Sequence, residues 1–146
     1  MTLTTVLCPL DFSAASAPLM RYATALAAAA GAELRLVHVL EPQLKTLTAS
    51  ASHDLGVARQ LATYRAEAEA AGARVSTVLL QGDASTEIVA EAQRYPADLL
   101  VIGAHGQTGL TRFLMGSTAE AVVRAAPCAT LLVKPCAADL EYRQSA

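Results

Sequence analysis

Leu99-Leu100-Val101-Ile102-Gly103-Ala104-His105-Gly106-Gln107-Thr108-Gly109, followed after six residues by Gly116-Ser117-Thr118, is the stretch on which the fold turns. The opening four residues form a short, uninterrupted apolar run, as expected of a strand buried on both faces of a parallel sheet. From Ser117 onward, Ala119, Val122, Val123 and Ala126 recur at helical spacing. The glycines therefore lie between a buried strand and a helix N-terminus. Glycine has no Cβ to hold a ligand away from its N–H. The start of a helix adds unpaired N–H groups and the positive end of a dipole, so the pair is suited to cradling phosphate. Charge-assisted hydrogen bonds contribute roughly 1.5–3 kcal/mol each. About four of them would supply most of a micromolar affinity, about 8 kcal/mol.

Other readings of the same residues stay open. Ser117-Thr118-Ala119-Glu120 fits a capping box with Ser117 at the N-cap, which is useful without any ligand, and loop glycines often serve only as turns. A Walker loop is excluded, because no lysine lies between Gly103 and Ser117 and Arg112 is the cation there. The dinucleotide fingerprint is excluded as well, since this loop follows a late strand rather than the first.

Upstream, apolar runs alternate with helical patterns. Strands are expected at Val6–Leu10, Glu33–Leu40 and Arg74–Gln81, then Leu99–Ile102 and Thr130–Lys134. Pro9 is tolerable as the close of the first. The first helix is expected to end at Ala30 with Gly31 as its C-cap, and Pro18 points to Ser16 as its N-cap. Leu19, Tyr22, Ala23, Leu26 and Ala30 form its expected buried side. Residues 43–52 read as a polar surface loop, and a second helix follows from about Ser52 to Ala71. Asp83 or Ser85 caps a third, which ends near Tyr95-Pro96. This alternation gives an α/β domain, and the simplest doubly wound order with right-handed crossovers is 3-2-1-4-5. Ligands bind where such an order reverses, at the carboxyl ends of strands one and four. Those ends are Leu10-Asp11 and Gly103, so two stretches chosen on separate grounds converge on one crevice.

At 146 residues, 1–146 is one domain, with 136–146 as a polar, loose tail. The net charge of −2, the absence of Trp and an aromatic content of 4% argue against nucleic acid as a partner. No basic n-region precedes an apolar run, and no run approaches the roughly eighteen residues of a membrane span. Cys8, Cys128 and Cys136 show neither pairing nor metal spacing, so a reduced, cytoplasmic setting is the default. Cys8 on a buried strand reads as inert packing. His38 and His53 lack metal-ligand partners at useful spacing. On residue type alone, Asp11 fits an Asx turn as well as a ligand contact.

Gly103-x2-Gly106-x9-Gly116-Ser117, the opening Pro9-Leu10-Asp11-Phe12-Ser13-x-x-Ser16, Leu36-Val37-His38-Val39 and the closing Pro127–Lys134 together resemble the ATP-binding branch of the universal stress protein family, over roughly residues 2–135. That resemblance implies a Rossmann-like sheet of the adenine-nucleotide alpha hydrolase type and an ATP site, with Mg²⁺ carried on the nucleotide. It places Asp11 at the ribose or the Mg²⁺, the Val39 backbone at the adenine edge, and Pro9 and Leu10 among the nucleotide-binding residues. Gly103, Ala104, His105, Gly106, Gln107, Thr108 and Gly109 fall on the first phosphate-and-ribose segment and Ser117, Thr118 and Ala119 on the second, with Gly116 of the glycine signature and Arg112, as a phosphate neutraliser, also counted as nucleotide-binding. It also implies a homodimer through the Thr130–Lys134 edge strand, a regulatory protein partner, and at most slow ATP hydrolysis. The alternatives are a dimeric adaptor of the same fold that binds no nucleotide, and an enzyme related to adenylate-forming ligases. The missing Ser-Gly-Gly loop after strand one argues against the enzyme. The full glycine signature argues against the adaptor.

Overall fold

A computed structural model of the chain describes residues 2–42, 47–104 and 116–134, with backbone alone over 47–53. Five strands, β1 (Thr5–Pro9), β2 (Glu33–Leu40), β3 (Arg74–Gln81), β4 (Leu99–Gly103) and β5 (Ala129–Val133), alternate with four helices, α1 (Ser16–Ala30), α2 (Leu47–Ala70), α3 (Ala84–Arg94) and α4 (Ser117–Ala125). The strands form one sheet in the order β3-β2-β1-β4-β5, every neighbouring pair parallel. The expected topology is therefore the one observed.

Alternation along the strands sorts the core into two layers. Val6, Cys8 and Leu10 of the β1 segment join Leu34, Leu36 and Val101 against Leu19, Met20, Ala23 and Ala27 of α1 and Leu61 and Ala68 of α2. On the opposite face Leu7, Val37, Leu100 and Ile102 pack on Ile88 and Ala92 of α3 and Ala119 and Val122 of α4. Burial pushes the Cys8 thiol up to about 12, so it stays protonated and unreactive, as its place on the strand implies.

Several expected boundaries and faces are corrected. β5 begins at Ala129, and α2 begins at Leu47, inside the stretch read as a loop. In α1 the buried side is Ser16, Leu19, Met20, Ala23, Thr24 and Ala27, whereas Tyr22 is half exposed and Ala30 exposed. An alanine-rich helix offers little contrast between faces, and Thr24 becomes buriable by donating its hydroxyl to the Met20 carbonyl at 2.6 Å. Ala15, not Ser16, is the N-cap, while Gly31 closes the helix in the left-handed region as expected.

At the amino ends of the strands, Asp98 clamps β4 to β1. Its Oδ2 accepts from Thr4 N (2.8 Å), Thr4 Oγ1 (2.6 Å) and Thr5 N (2.9 Å). These bonds, the Thr4 hydroxyl first, hold the carboxyl below its ordinary value of 3.8. A folded pKa below the unfolded one gives stability that is complete above the unfolded value and is lost as pH falls through the folded one. The expected outcome is a urea midpoint that declines below about pH 5, with a shallower decline and a lower midpoint at neutral pH in Asp98→Asn. Parallel acid limbs in the two proteins would remove Asp98 from this role.

Candidate nucleotide site at the strand reversal

The order reverses between β1 and β4, and the carboxyl ends of both strands are fastened rather than frayed. Leu10 N donates to Val37 O at 2.7 Å, one residue beyond the last β1–β2 pair, Pro9 with Val37. Asp11 Oδ1 then accepts from Ser13 N (2.9 Å) and the buried Ser16 hydroxyl (3.0 Å). This is the Asx turn that the residue type allows, and it fixes the carboxylate at the crevice mouth. Phe12 follows in the left-handed region at φ 60°, a conformation a bulky side chain adopts at a cost. Its ring lies 4.4 Å from that of His38 and is stacked 6.0 Å from that of Tyr64 on α2. Burial raises the Tyr64 phenol above its ordinary pKa, with the Glu67 and Asp11 carboxylates adding to the effect and Arg21 opposing it.

Across the reversal, Ala104 N donates to Val133 O (2.9 Å) and Gly116 N donates to Ala104 O (2.7 Å). The chain thus leaves β4 at Ala104 and returns beside it at Gly116, so the end of β4 and the start of α4 meet. His105, Gly106, Gln107, Thr108, Gly109 and Arg112 lie outside the described residues, as do Cys136 and the 136–146 tail.

The expected capping box is corrected here. Gly116 is the N-cap of α4, in the extended conformation usual for that position (φ −61°, ψ 151°), and among the described residues no side chain caps the helix. Ser117 is the first helical residue, one place too late to cap. Glu120 sends its carboxylate to Arg124 at 3.0 Å instead of back to the cap. Among the described residues, no side chain accepts from the first-turn amides of Ser117, Thr118 and Ala119. α3 shows the contrast, with Asp83 accepting from Thr86 N at its N-terminus. The Ala119 side chain is core, so only its amide can serve the site.

Val39 is half-buried among the α3-side apolar residues, which is the packing role its type suggests. Its backbone carries a second feature. In a parallel strand, alternate residues present both N–H and C=O to the same neighbour. Val37 O points to β1 and Leu40 O to the β3 side, where it accepts from Gly82 N at 3.0 Å. Val39 therefore points toward β1, which has already ended. Its main-chain groups face the crevice between the two strand ends. Sequence reasoning set His38 aside and did not single out Tyr64, because neither a ring contact nor a positive φ at Phe12 has a local sequence signature.

The Universal stress protein family profile matches residues 2–134. The chain belongs to the universal stress protein family. It is similar to a universal stress protein of Thermus aquaticus, 35% identical over 117 residues, 77% of this chain and 85% of that protein. Universal stress protein MJ0531 of Methanocaldococcus jannaschii is 46% identical over 67 residues, which is 46% of this chain and 39% of that protein. Among solved structures, MJ0577 superposes with a TM-score of 0.83 at 24% identity, covering 94% of this chain and 99% of that one. A universal stress protein in complex with cAMP superposes at 0.75 with 26% identity, over 92% and 98%. One from Archaeoglobus fulgidus in complex with dAMP gives 0.69 at 24%, over 92% and 100%. No described helix is long and apolar enough to cross a membrane.

Proposed function

We propose that this universal stress protein binds an adenine nucleotide, ATP with its Mg²⁺, at the β1–β4 reversal and acts as a nucleotide-dependent regulatory module in stress tolerance. The observation that carries the reading is the first turn of α4, without a side-chain cap among the described residues and joined through the Gly116–Ala104 bond to the end of β4. Backbone amides and a helix dipole at a topological switch point support a phosphate ligand there. A base placed toward β2 would meet the Val39 N–H and C=O, a donor and an acceptor side by side, which is the pattern an adenine edge complements. Asp11, fastened by Ser13 and Ser16 after β1, would serve a ribose hydroxyl or Mg²⁺, which takes one carboxylate together with phosphate oxygens. Two family members solved with cAMP and dAMP support the choice of adenine.

Binding of this kind grips ground state and transition state alike, so at most slow hydrolysis is expected. β5 is an edge strand with Thr130–Val133 half-buried, which supports pairing with a second copy into a homodimer. Mass spectrometry of nucleotide carried through purification, together with phosphate release on addition of Mg²⁺-ATP, tests the proposal. Bound adenine nucleotide with negligible turnover is expected. Failure to bind at millimolar ATP would leave the adaptor reading in its place, and rapid turnover would make the protein an enzyme.

A further inference from the structure

The β1–β2 ladder ends at Pro9 and Val37, and a side chain sits on the carbonyl where its next rung would form. Leu10 is opposite His38, so a parallel ladder that has made the Leu10 N to Val37 O bond continues with Val39 N donating to Leu10 O. In this chain Leu10 O is taken instead by His38 Nδ1, at 2.6 Å. A carbonyl only accepts, so Nδ1 carries the proton. The imidazole lies against Phe12 at 4.4 Å, and Phe12 is held in turn by Tyr64 and by a turn at φ 60°. Strain of this type persists only where the surroundings over-determine it, and it gathers at functional sites.

We infer that His38 is a positioning residue for base recognition: by capturing the Leu10 carbonyl it keeps the Val39 amide out of the ladder and available to the base. The inference rests on the nucleotide reading above, yet it makes a claim about the empty protein as well. In His38→Leu the captured carbonyl is released, the ladder zips by one rung and Val39 N–H is consumed. In His38→Asn the amide Nδ2 occupies the place of Nδ1 and keeps the donor.

The test is hydrogen exchange of the Val39 amide in the full chain without ligand, followed by titration with ATP and with inorganic tripolyphosphate. In the wild type and His38→Asn, Val39 is expected to exchange much faster than its neighbour His38, whose amide is in the β2–β3 ladder. In His38→Leu it becomes protected. ATP affinity is expected to fall about ten-fold in His38→Leu, the scale of one or two hydrogen bonds, and to recover in His38→Asn. Tripolyphosphate affinity stays at the wild-type value in both, which loss of structure alone would not produce. A protected Val39 amide in the wild type, or equal ATP affinity in wild type and His38→Leu, overturns the inference. A wild type that binds neither ligand refutes the nucleotide reading instead, and leaves the exchange measurement to decide the ladder.

Discussion

Glu91→Ala is expected to destabilise the domain by about 3–5 kcal/mol, the cost of removing one partner of a buried ion pair. Glu91 lies on α3 with 1% of its side chain exposed. Its Oε1 accepts from Arg35 Nη2 (2.9 Å) and Nε (3.0 Å), and its Oε2 from Arg94 Nη1 (2.6 Å). Arg35, on β2, is only 13% exposed, bonds Ser76 Oγ at 3.2 Å and lies 3.9 Å from the centre of the Tyr95 ring. Truncating Glu91 strands the Arg35 guanidinium in a place that water reaches poorly, and that stranded charge is the source of the loss. Arg94 is half exposed, so Arg94→Ala should cost less than about 1 kcal/mol. The decisive companion is Arg35→Met with Glu91→Leu. Replacing both charges by apolar groups of similar size should return most of the stability, because neither desolvation penalty remains. Urea unfolding of the three variants reads this directly. A Glu91→Ala loss below about 1 kcal/mol, or a double variant no better than the single, would contradict it.

Ser117→Asp is expected to lower ATP affinity at least a hundred-fold while leaving the melting temperature unchanged or raised. Ser117 is exposed in the first turn of α4, so the substitution disturbs no packing. A carboxylate there suits the helix dipole and stabilises by about 0.3–1 kcal/mol. The same charge stands where the proposed reading puts the phosphates. At about 4 Å and an effective dielectric near 20, one pair of like charges costs about 4 kcal/mol, which is more than a hundred-fold in affinity. Stability and binding therefore move in opposite directions. Calorimetric titration and thermal melts of the same preparation report both. Retained ATP affinity in Ser117→Asp would mean that the phosphates lie elsewhere.

The strand order was legible because the apolar runs at 6–10, 34–40 and 99–102 are short, separated by helical patterns and bound by the handedness of parallel crossovers. The convergence of Leu10-Asp11 with Gly103 followed from that order alone. Details that depend on side-chain direction were not legible. The cap of α4 lies one residue before the Ser-x-x-Glu pattern, since Glu120 is drawn to Arg124 rather than to the cap. The inward turn of Glu91 has no local signal, because its partner Arg35 is on a strand 56 residues away. The crevice-facing edge of Val39 depends on where β1 ends and on what His38 does with the Leu10 carbonyl, and neither can be read from a valine in an apolar run.

Titration of the isotope-labelled full chain with Mg²⁺-ATP, followed by the backbone amide resonances, addresses the site as a whole. Val39 on β2, Asp11 after β1 and Ser117 to Ala119 on α4 should shift together in one saturable transition if a single ligand spans all three. Shifts confined to one of these elements, or no saturation at millimolar nucleotide, would contradict a common site at the strand reversal.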